Sequence, residues 1–96
     1  MKIVVHRLVH VDVAEAMEFY EREGGSGLAA DFFYEYERVL DSIRDRPHSF
    51  VISRGVSRRA NFQRFPFHAV FTILTDFALV LVIRHDSRHQ DFGLDR

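Results

Sequence analysis

Histidine is the first residue type here that could do chemistry, because the chain has six histidines and imidazole serves as a metal ligand and as a general base. His6 and His10 have a spacing that would pair them on a helix, but the surrounding Ile and Val residues predict a strand. On a strand the two rings would lie about 13 Å apart, too far to share an ion. The chain has no cysteine, which excludes thiolate sites and disulfides. We therefore expect no metal site and no other cofactor.

Two further catalytic motifs are excluded by their context. No serine lies in a Gly-x-Ser-x-Gly segment, as a serine hydrolase would require. The segment Gly24-Gly25-Ser26-Gly27 lacks the Gly-Lys-Ser/Thr ending of a phosphate-binding loop, and it follows a predicted helix rather than a strand. We interpret this segment as the link between two helices.

Arginine is the second residue type that could do chemistry, since it supplies every basic side chain except Lys2. Its planar guanidinium suits carboxylates and phosphates. Residues 1–47 carry six basic and ten acidic side chains, whereas residues 48–96 carry seven arginines and four aspartates. The near-neutral total excludes binding of nucleic acid by bulk charge. An anionic partner would have to meet the second half of the chain.

Five arginines of that half are candidates for a basic patch. Arg58, Arg59 and Arg64 are predicted to lie on one strand, Arg84 at the end of another, and Arg88 just beyond it. On neighbouring strands they could converge. Such a patch could hold RNA phosphates, stabilise an oxyanion or receive an acidic peptide; the alternative is a set of scattered surface arginines.

Length and composition limit the elements that could position these side chains. A chain of 96 residues, 47% of them hydrophobic, is enough for a single domain spanning residues 1–96 with one core. No apolar run approaches the ~18 residues of a membrane span. The first residues are interrupted by charge too early for a signal peptide. These features predict a soluble cytoplasmic domain.

Hydrophobic periodicity in the first half predicts one strand and two helices. Ile and Val residues predict a strand over residues 2–9. Asp12, with Glu15 three residues later, predicts a capping box that opens the first helix. An apolar stripe predicts a second helix over residues 28–45, which Pro47 ends. Because a short link joins the helices, we expect an antiparallel hairpin.

In the second half of the chain, the spacing of apolar residues changes to the pattern typical of strands. Strands are predicted over residues 50–53, 59–65, 67–74 and 77–85. The last of these is apolar on both faces, which predicts a central position. The predicted fold class is α+β: an N-terminal strand, a two-helix hairpin, and an antiparallel β-meander forming one sheet. Residues expected to be buried on the helices are Val13, Met17, Tyr20, Leu28, Phe32, Tyr36, Val39 and Ile43. Their expected partners on the sheet are Phe71, Ile73, Val80 and Val82.

Several short motifs, spread in order over nearly the whole chain, match one known superfamily. The most specific are Arg64-Phe65-Pro66-Phe67 and the tail His85-Asp86-Ser87-Arg88, which is followed by Phe92 and Arg96. The supporting motifs, in or directly beside the two predicted helices, are Ala14-Glu15, Phe19-Tyr20-Glu21, Gly27-Leu28-Ala29 with Phe32, and Arg46-Pro47. Together they resemble the RelE/ParE superfamily of type II toxin–antitoxin toxins, in particular the ParE-like, plasmid-stabilisation type.

This resemblance implies a strand, two helices and a meander, in agreement with the periodicity. It also implies a growth-inhibiting toxin that a cognate antitoxin neutralises by wrapping it with a C-terminal segment. The superfamily has two branches. The ParE-like branch inhibits DNA gyrase, and the RelE-like branch cleaves mRNA on the ribosome with basic strand residues and typically a C-terminal tyrosine.

The sequence departs from the nuclease pattern. His68 stands where that branch often has arginine, and Phe92 stands about where a tyrosine would act. Phenylalanine has no ionisable group and cannot move a proton. Gln90 replaces the proline usual two residues after the tail arginine, which is a departure from the ParE-like tail as well, but the strand lysines of the nuclease branch are also absent. The sequence therefore favours gyrase inhibition, with ribosome-dependent mRNA cleavage as the alternative and an inactive antitoxin-binding relative as a third possibility.

Each of these possibilities assigns roles to specific side chains. In a nuclease, Arg88 would stabilise charge at the scissile phosphate, and a histidine would act as general acid or base. The residues that would take part in such catalysis are Arg88, Arg64, Arg84, His68 and His85. The residues expected to bind the target or the antitoxin are Arg58, Arg59, Arg64, Arg84, Arg88 and Phe92.

Overall fold

The computed structural model describes residues 1–96. The first half contains strand β1 (Lys2–Val5), helix α1 (Val9–Gly24) and helix α2 (Ser26–Asp45), followed by a 3₁₀ turn at Pro47–Ser49. The second half contains strands β2 (Ile52–Arg54), β3 (Ser57–Asn61), β4 (Phe67–Ile73) and β5 (Phe77–His85). Neither helix has the length and apolar character needed to cross a membrane.

All five strands form one sheet, in the order β1-β5-β4-β3-β2. Strands β2 to β5 form the predicted antiparallel meander. Strand β1 joins it parallel to β5, from Lys2 opposite Phe77 to Val5 opposite Val80. The predicted fold class and the inner position of β5 are confirmed.

Helix α1 begins three residues before the predicted cap at Asp12. Its first turn starts at Val9, which is fully buried, and no side chain caps it. The capping-box prediction is therefore wrong, because Asp12 lies inside the helix. Its carboxylate turns to the sheet instead and accepts a hydrogen bond from the Ile83 amide at 3.1 Å.

The link between the helices is shorter than predicted. Only Gly25 separates Gly24 at the end of α1 from Ser26 at the start of α2. Its φ of 88° lies in the left-handed region that glycine adopts without strain. The two helices pack against each other as a hairpin, as predicted.

One face of the sheet packs on the helices to form the main core. Val13, Phe32, Val39 and Ile43 are buried there, and the other predicted helix residues are half-buried against the same cluster: Met17, Tyr20, Leu28 and Tyr36. Phe71 and Val80 of the sheet belong to this cluster, and Ile73 packs against it.

Val82 lies on the opposite face, contrary to prediction. Val80 pairs with Phe71 and Val82 pairs with Val70, so Leu81 is an extra residue in β5. Such a bulge interrupts strict alternation. Ile83 therefore joins Val80 on the helix face, while Val82 and Arg84 face away from the helices.

Strand β3 ends at Asn61, so Arg64 does not share a strand with Arg58 and Arg59 as predicted. Phe62 and Phe65 are both buried in the main core. A continuous strand would point two residues three apart to opposite faces. The chain therefore turns after Asn61 and folds both rings inward.

Candidate functional site

The sheet face opposite the helices is covered by residues 86–96, which we call the C-terminal tail. Val70, Leu81 and Val82 form a small apolar cluster on this face, and Phe92 and Leu94 of the tail pack against it. Gly93, with a φ of 85°, lets the tail approach so closely that a Cβ there would lie 2.6 Å from Val82 Cβ. Two of the sequence-predicted residues, His68 and Arg84, lie under the tail.

His68 and Arg84 are joined in a hydrogen-bonded chain. Arg84 Nε donates to His68 Nε2 at 2.8 Å. His68 Nδ1 therefore carries the imidazole proton, and it donates to Asp86 Oδ1 at 2.7 Å. Burial lowers the pKa of His68, the charges of Arg59 and Arg84 lower it further, and the bond to Asp86 partly offsets them. The imidazole is neutral near pH 7, with both nitrogens occupied.

Arg84 holds the tail on the sheet. Its Nη1 donates to the carbonyl oxygens of Gln90 at 2.6 Å and Phe92 at 2.9 Å. Only 6% of the surface of Arg84 is exposed. Burial and the charge of Arg59 lower the pKa of Arg84, but a guanidinium stays protonated in proteins. The two bonds of Nη1 therefore serve the fold.

A cleft of about 320 Å³ opens between α1 and the start of the tail. Its apolar lining includes Ala16, Tyr20 and Phe67, and its ionisable lining includes Glu15, His85 and Arg88. The Phe19 ring also lines it and is 47% exposed. The cleft therefore combines an apolar floor with charges of both signs.

Arg88 is the exposed sequence-predicted arginine of this cleft, which the buried Arg84 also lines. Its guanidinium stacks over the Phe92 ring at 4.2 Å from the centroid, an attractive cation–π arrangement. It forms no ion pair with a carboxylate, and the residue is exposed. Arg88 is therefore oriented by an aromatic ring and free to meet an anion.

His85 lies in the same cleft, where it caps a turn. Its Nδ1 accepts the Ser87 amide at 3.0 Å and lies 2.8 Å from Ser87 Oγ. Its ring packs edge-on against Phe67 at 5.1 Å. Because Nδ1 is engaged, Nε2 is the ring nitrogen available to a ligand.

The remaining predicted arginines serve separate parts of the fold. Arg58 Nη1 donates to the Phe50 carbonyl at 2.7 Å. Arg59 Nε donates to Asn61 Oδ1 at 2.7 Å, and Arg64 pairs with Asp31 of α2 at 2.8 Å. Of the five, Arg59 and Arg84 line one small cavity, and Arg84 and Arg88 both line the cleft. The structure brings no three His, Asp or Glu side chains into a metal-binding group.

Glu35 is an organising residue that the sequence prediction missed. It is buried on α2, and its carboxylate accepts the amides of Gln63 and Arg64 at 3.1 Å each. These bonds fix the turn that carries the Arg64-Phe65-Pro66-Phe67 motif. The sequence did contain a signal that Glu35 is buried. It lies three residues after Phe32 and four before Val39, on the apolar stripe of α2.

Comparisons with known proteins give a match in structure. No protein-family model matches the sequence, and neither does any curated protein. A chain of the solved structure "Chromosomal ParDE TA system from P. aeruginosa" superposes with a TM-score of 0.80 and 16% sequence identity, covering 88% of this chain and 95% of that one. The protein therefore has the fold of a chain from a ParDE toxin–antitoxin system, as the resemblance in its sequence predicted.

Proposed function

We propose that the protein is the toxin of a type II toxin–antitoxin module, that it inhibits DNA gyrase, and that a cognate antitoxin neutralises it. The shared fold, over 88% of the chain, is the observation that carries the toxin assignment. The motifs in the two helices and in the tail support it independently of the superposition.

The state of His68 and the presence of phenylalanine at position 92 favour gyrase inhibition over RNA cleavage. A nuclease would need a free cation at the scissile phosphate and an ionisable group to move a proton. Both nitrogens of His68 are hydrogen-bonded, so this imidazole has no free nitrogen with which to move a proton. Phe92 brings no ionisable group to the site.

One observation supports mRNA cleavage as the second candidate. His85 and Arg88 line the same cleft, and each keeps a group available to a ligand. In that case Arg88 would stabilise the charge that develops on the phosphate, and His85 Nε2 would transfer the proton.

The same cleft suits an antitoxin segment that carries apolar and acidic side chains. Phe19, Tyr20 and Phe67 offer apolar contacts, and Arg88 is available to a carboxylate. An amphipathic segment would place its apolar residues on the floor of the cleft, as helices and extended peptides do in grooves elsewhere.

The deciding experiment compares both activities in the purified protein. We expect inhibition of gyrase supercoiling, no cleavage of ribosome-bound mRNA, and weaker inhibition by Arg88→Ala than by the control Arg22→Ala, which alters an exposed ion pair on α1. Cleavage of mRNA without an effect on gyrase would establish the second candidate. Arg88→Ala should then slow cleavage by about 10²–10³-fold.

Growth assays test the antitoxin. Expression of the chain alone should arrest growth, and co-expression of a small acidic protein encoded by the neighbouring reading frame should relieve the arrest. Equal growth in both strains would indicate an inactive relative that keeps only antitoxin binding.

A further inference from the structure

Arg84 is a buried guanidinium that contacts no carboxylate. Its partners are a neutral imidazole and two backbone carbonyl groups. Seven arginine–carboxylate pairs lie within 4.0 Å in this chain, and Arg84 is in none of them. Buried charges in proteins are ordinarily paired, because removing an isolated charge from water is costly. The carboxylate of Asp91 acts on Arg84 only from a distance, because it is paired with Arg54.

A small cavity of about 120 Å³ lies beside Arg84, between the sheet and the tail. We call it the arginine cavity, because Arg54, Arg59 and Arg84 line it together with Ser53 and Gln90. Arg84 Nη2 donates a hydrogen bond to no protein atom. Every fully buried side-chain nitrogen in the chain, however, has a hydrogen-bond partner. Nη2 must therefore be reached by solvent.

The carboxylates nearby do not balance the three guanidinium groups. Asp91 forms an ion pair with Arg54. Asp86 is engaged by His68 at 2.7 Å and contacts Arg59 at 3.4 Å. Two carboxylates thus face three arginines, and neither of them contacts Arg84. The arginine cavity keeps an excess of positive charge.

We propose that the arginine cavity binds a small tetrahedral oxyanion of the phosphate class, which neutralises Arg84 and fastens the tail to the sheet. Guanidinium groups donate paired hydrogen bonds to such anions. The cavity is well below the ~300 Å³ at which pockets begin to hold drug-sized ligands, so it suits one phosphate group. The proposal rests on these contacts alone and is independent of the proposed toxin function.

The test is thermal unfolding of the full chain in rising inorganic phosphate, with chloride holding the ionic strength constant. We expect a saturable rise in Tm of roughly 5–10 °C at about ten times Kd. Arg59→Gln should weaken phosphate binding by about 10- to 100-fold. The matched control Arg22→Gln, on an exposed face of α1, should behave like the unaltered protein.

A variant expected to strengthen phosphate binding, rather than weaken it, separates ligand binding from a merely structural role. Asp91→Asn removes a carboxylate beside the cavity while leaving all three arginines, so it should tighten phosphate binding. Weaker or unchanged binding in Asp91→Asn would contradict the proposal. A linear rise in Tm that Arg59→Gln shares would be the general effect of a kosmotropic anion and would also overturn it.

Titration calorimetry with inorganic phosphate and with a nucleoside 5′-monophosphate distinguishes the source of the anion. Binding of inorganic phosphate at least as tight as that of the monophosphate indicates a free ion. Tighter binding of the monophosphate assigns the site to the phosphate of a nucleotide. Absence of saturable binding in both titrations would refute the proposal.

Discussion

Asp12 of α1 and Arg96 of the C-terminal tail, 84 residues apart in sequence, form a two-point ion pair with N–O distances of 2.6 and 2.8 Å. Both side chains are nearly buried, with 7% and 10% of their surface exposed. The pair also closes the edge of β5 beyond the end of β1. Asp12 accepts the Ile83 amide, and Arg96 donates to the Leu81 carbonyl at 3.1 Å. Two side chains thus take the place of a neighbouring strand.

Asp12→Ala should lower the free energy of unfolding by about 3 kcal/mol, because it leaves a poorly solvated guanidinium without its partner. The measurement is urea unfolding at neutral pH. Glu18→Ala is the matched control, since it removes an exposed ion pair with Arg22 on the same helix and should cost at most ~1 kcal/mol. Equal losses in the two variants would show that the Asp12 pair contributes no more than a surface contact.

His68 should make stability depend on pH. Burial lowers its pKa in the folded chain, whereas an imidazole in the unfolded chain titrates near ~6.5. The unfolded chain then binds the proton more tightly, so the contribution of His68 is complete above that value and is lost as the pH falls towards the lowered folded pKa.

We therefore expect the free energy of unfolding to fall on acidification below about pH 6.5. In His68→Gln, which cannot titrate, this fall should be smaller. His10→Gln, on the exposed face of α1, should keep the pH dependence of the unaltered chain. Parallel pH profiles for all three proteins would contradict the assignment.

Gly93→Ala should detach the tail from the sheet. The added Cβ would lie 2.6 Å from Val82 Cβ, on a backbone with φ of 85° that L residues rarely adopt. Limited proteolysis should then cut within residues 86–96, and Tm should fall. Gly27→Ala, on α2 with no atom near its new Cβ, should be neutral or raise stability by ~0.5–1 kcal/mol. Protease resistance equal to that of the unaltered chain would argue against close packing of the tail.

Phe32→Ala should be among the most destabilising core substitutions, at about 3–5 kcal/mol. The ring is fully buried and packs against Tyr20, Phe65 and Phe67 with centroid distances of 4.9 to 5.6 Å. Leu28→Ala should cost less, because Leu28 is only half-buried at the start of the same helix. Urea unfolding of both variants tests the order, and a larger loss in Leu28→Ala would contradict the packing.

Parts of the fold whose signal is local could be predicted from the sequence. The end of α2 at Asp45 and the bounds of β5 agree with the prediction, because Pro47 stops a helix and a continuous apolar run marks an inner strand. Features set by distant contacts could not be predicted. The bulge at Leu81 leaves no signature in an apolar run, yet it decides that Val82 and Arg84 face the tail.

In the candidate site, too, the features with a local signal could be predicted and those set by distant contacts could not. The motif at residues 85–88 identified the segment that lines the cleft, and Arg88 lies there as an available cation. Asp12 looked like a helix cap because its type and spacing fit one. Its actual partner, Arg96, is at the other end of the sequence, and no periodicity links the two.

The parallel pairing of β1 with β5 has a consequence for synthesis of the protein. Strand β5 is the last of the five to leave the ribosome, and it separates β1 from the rest of the sheet. Residues 2–5 therefore wait without their only partner strand until residue 80 has emerged. Such long-range closure slows folding. The nascent chain can assemble its helices early, but the sheet that carries the site can form only after β5 has emerged.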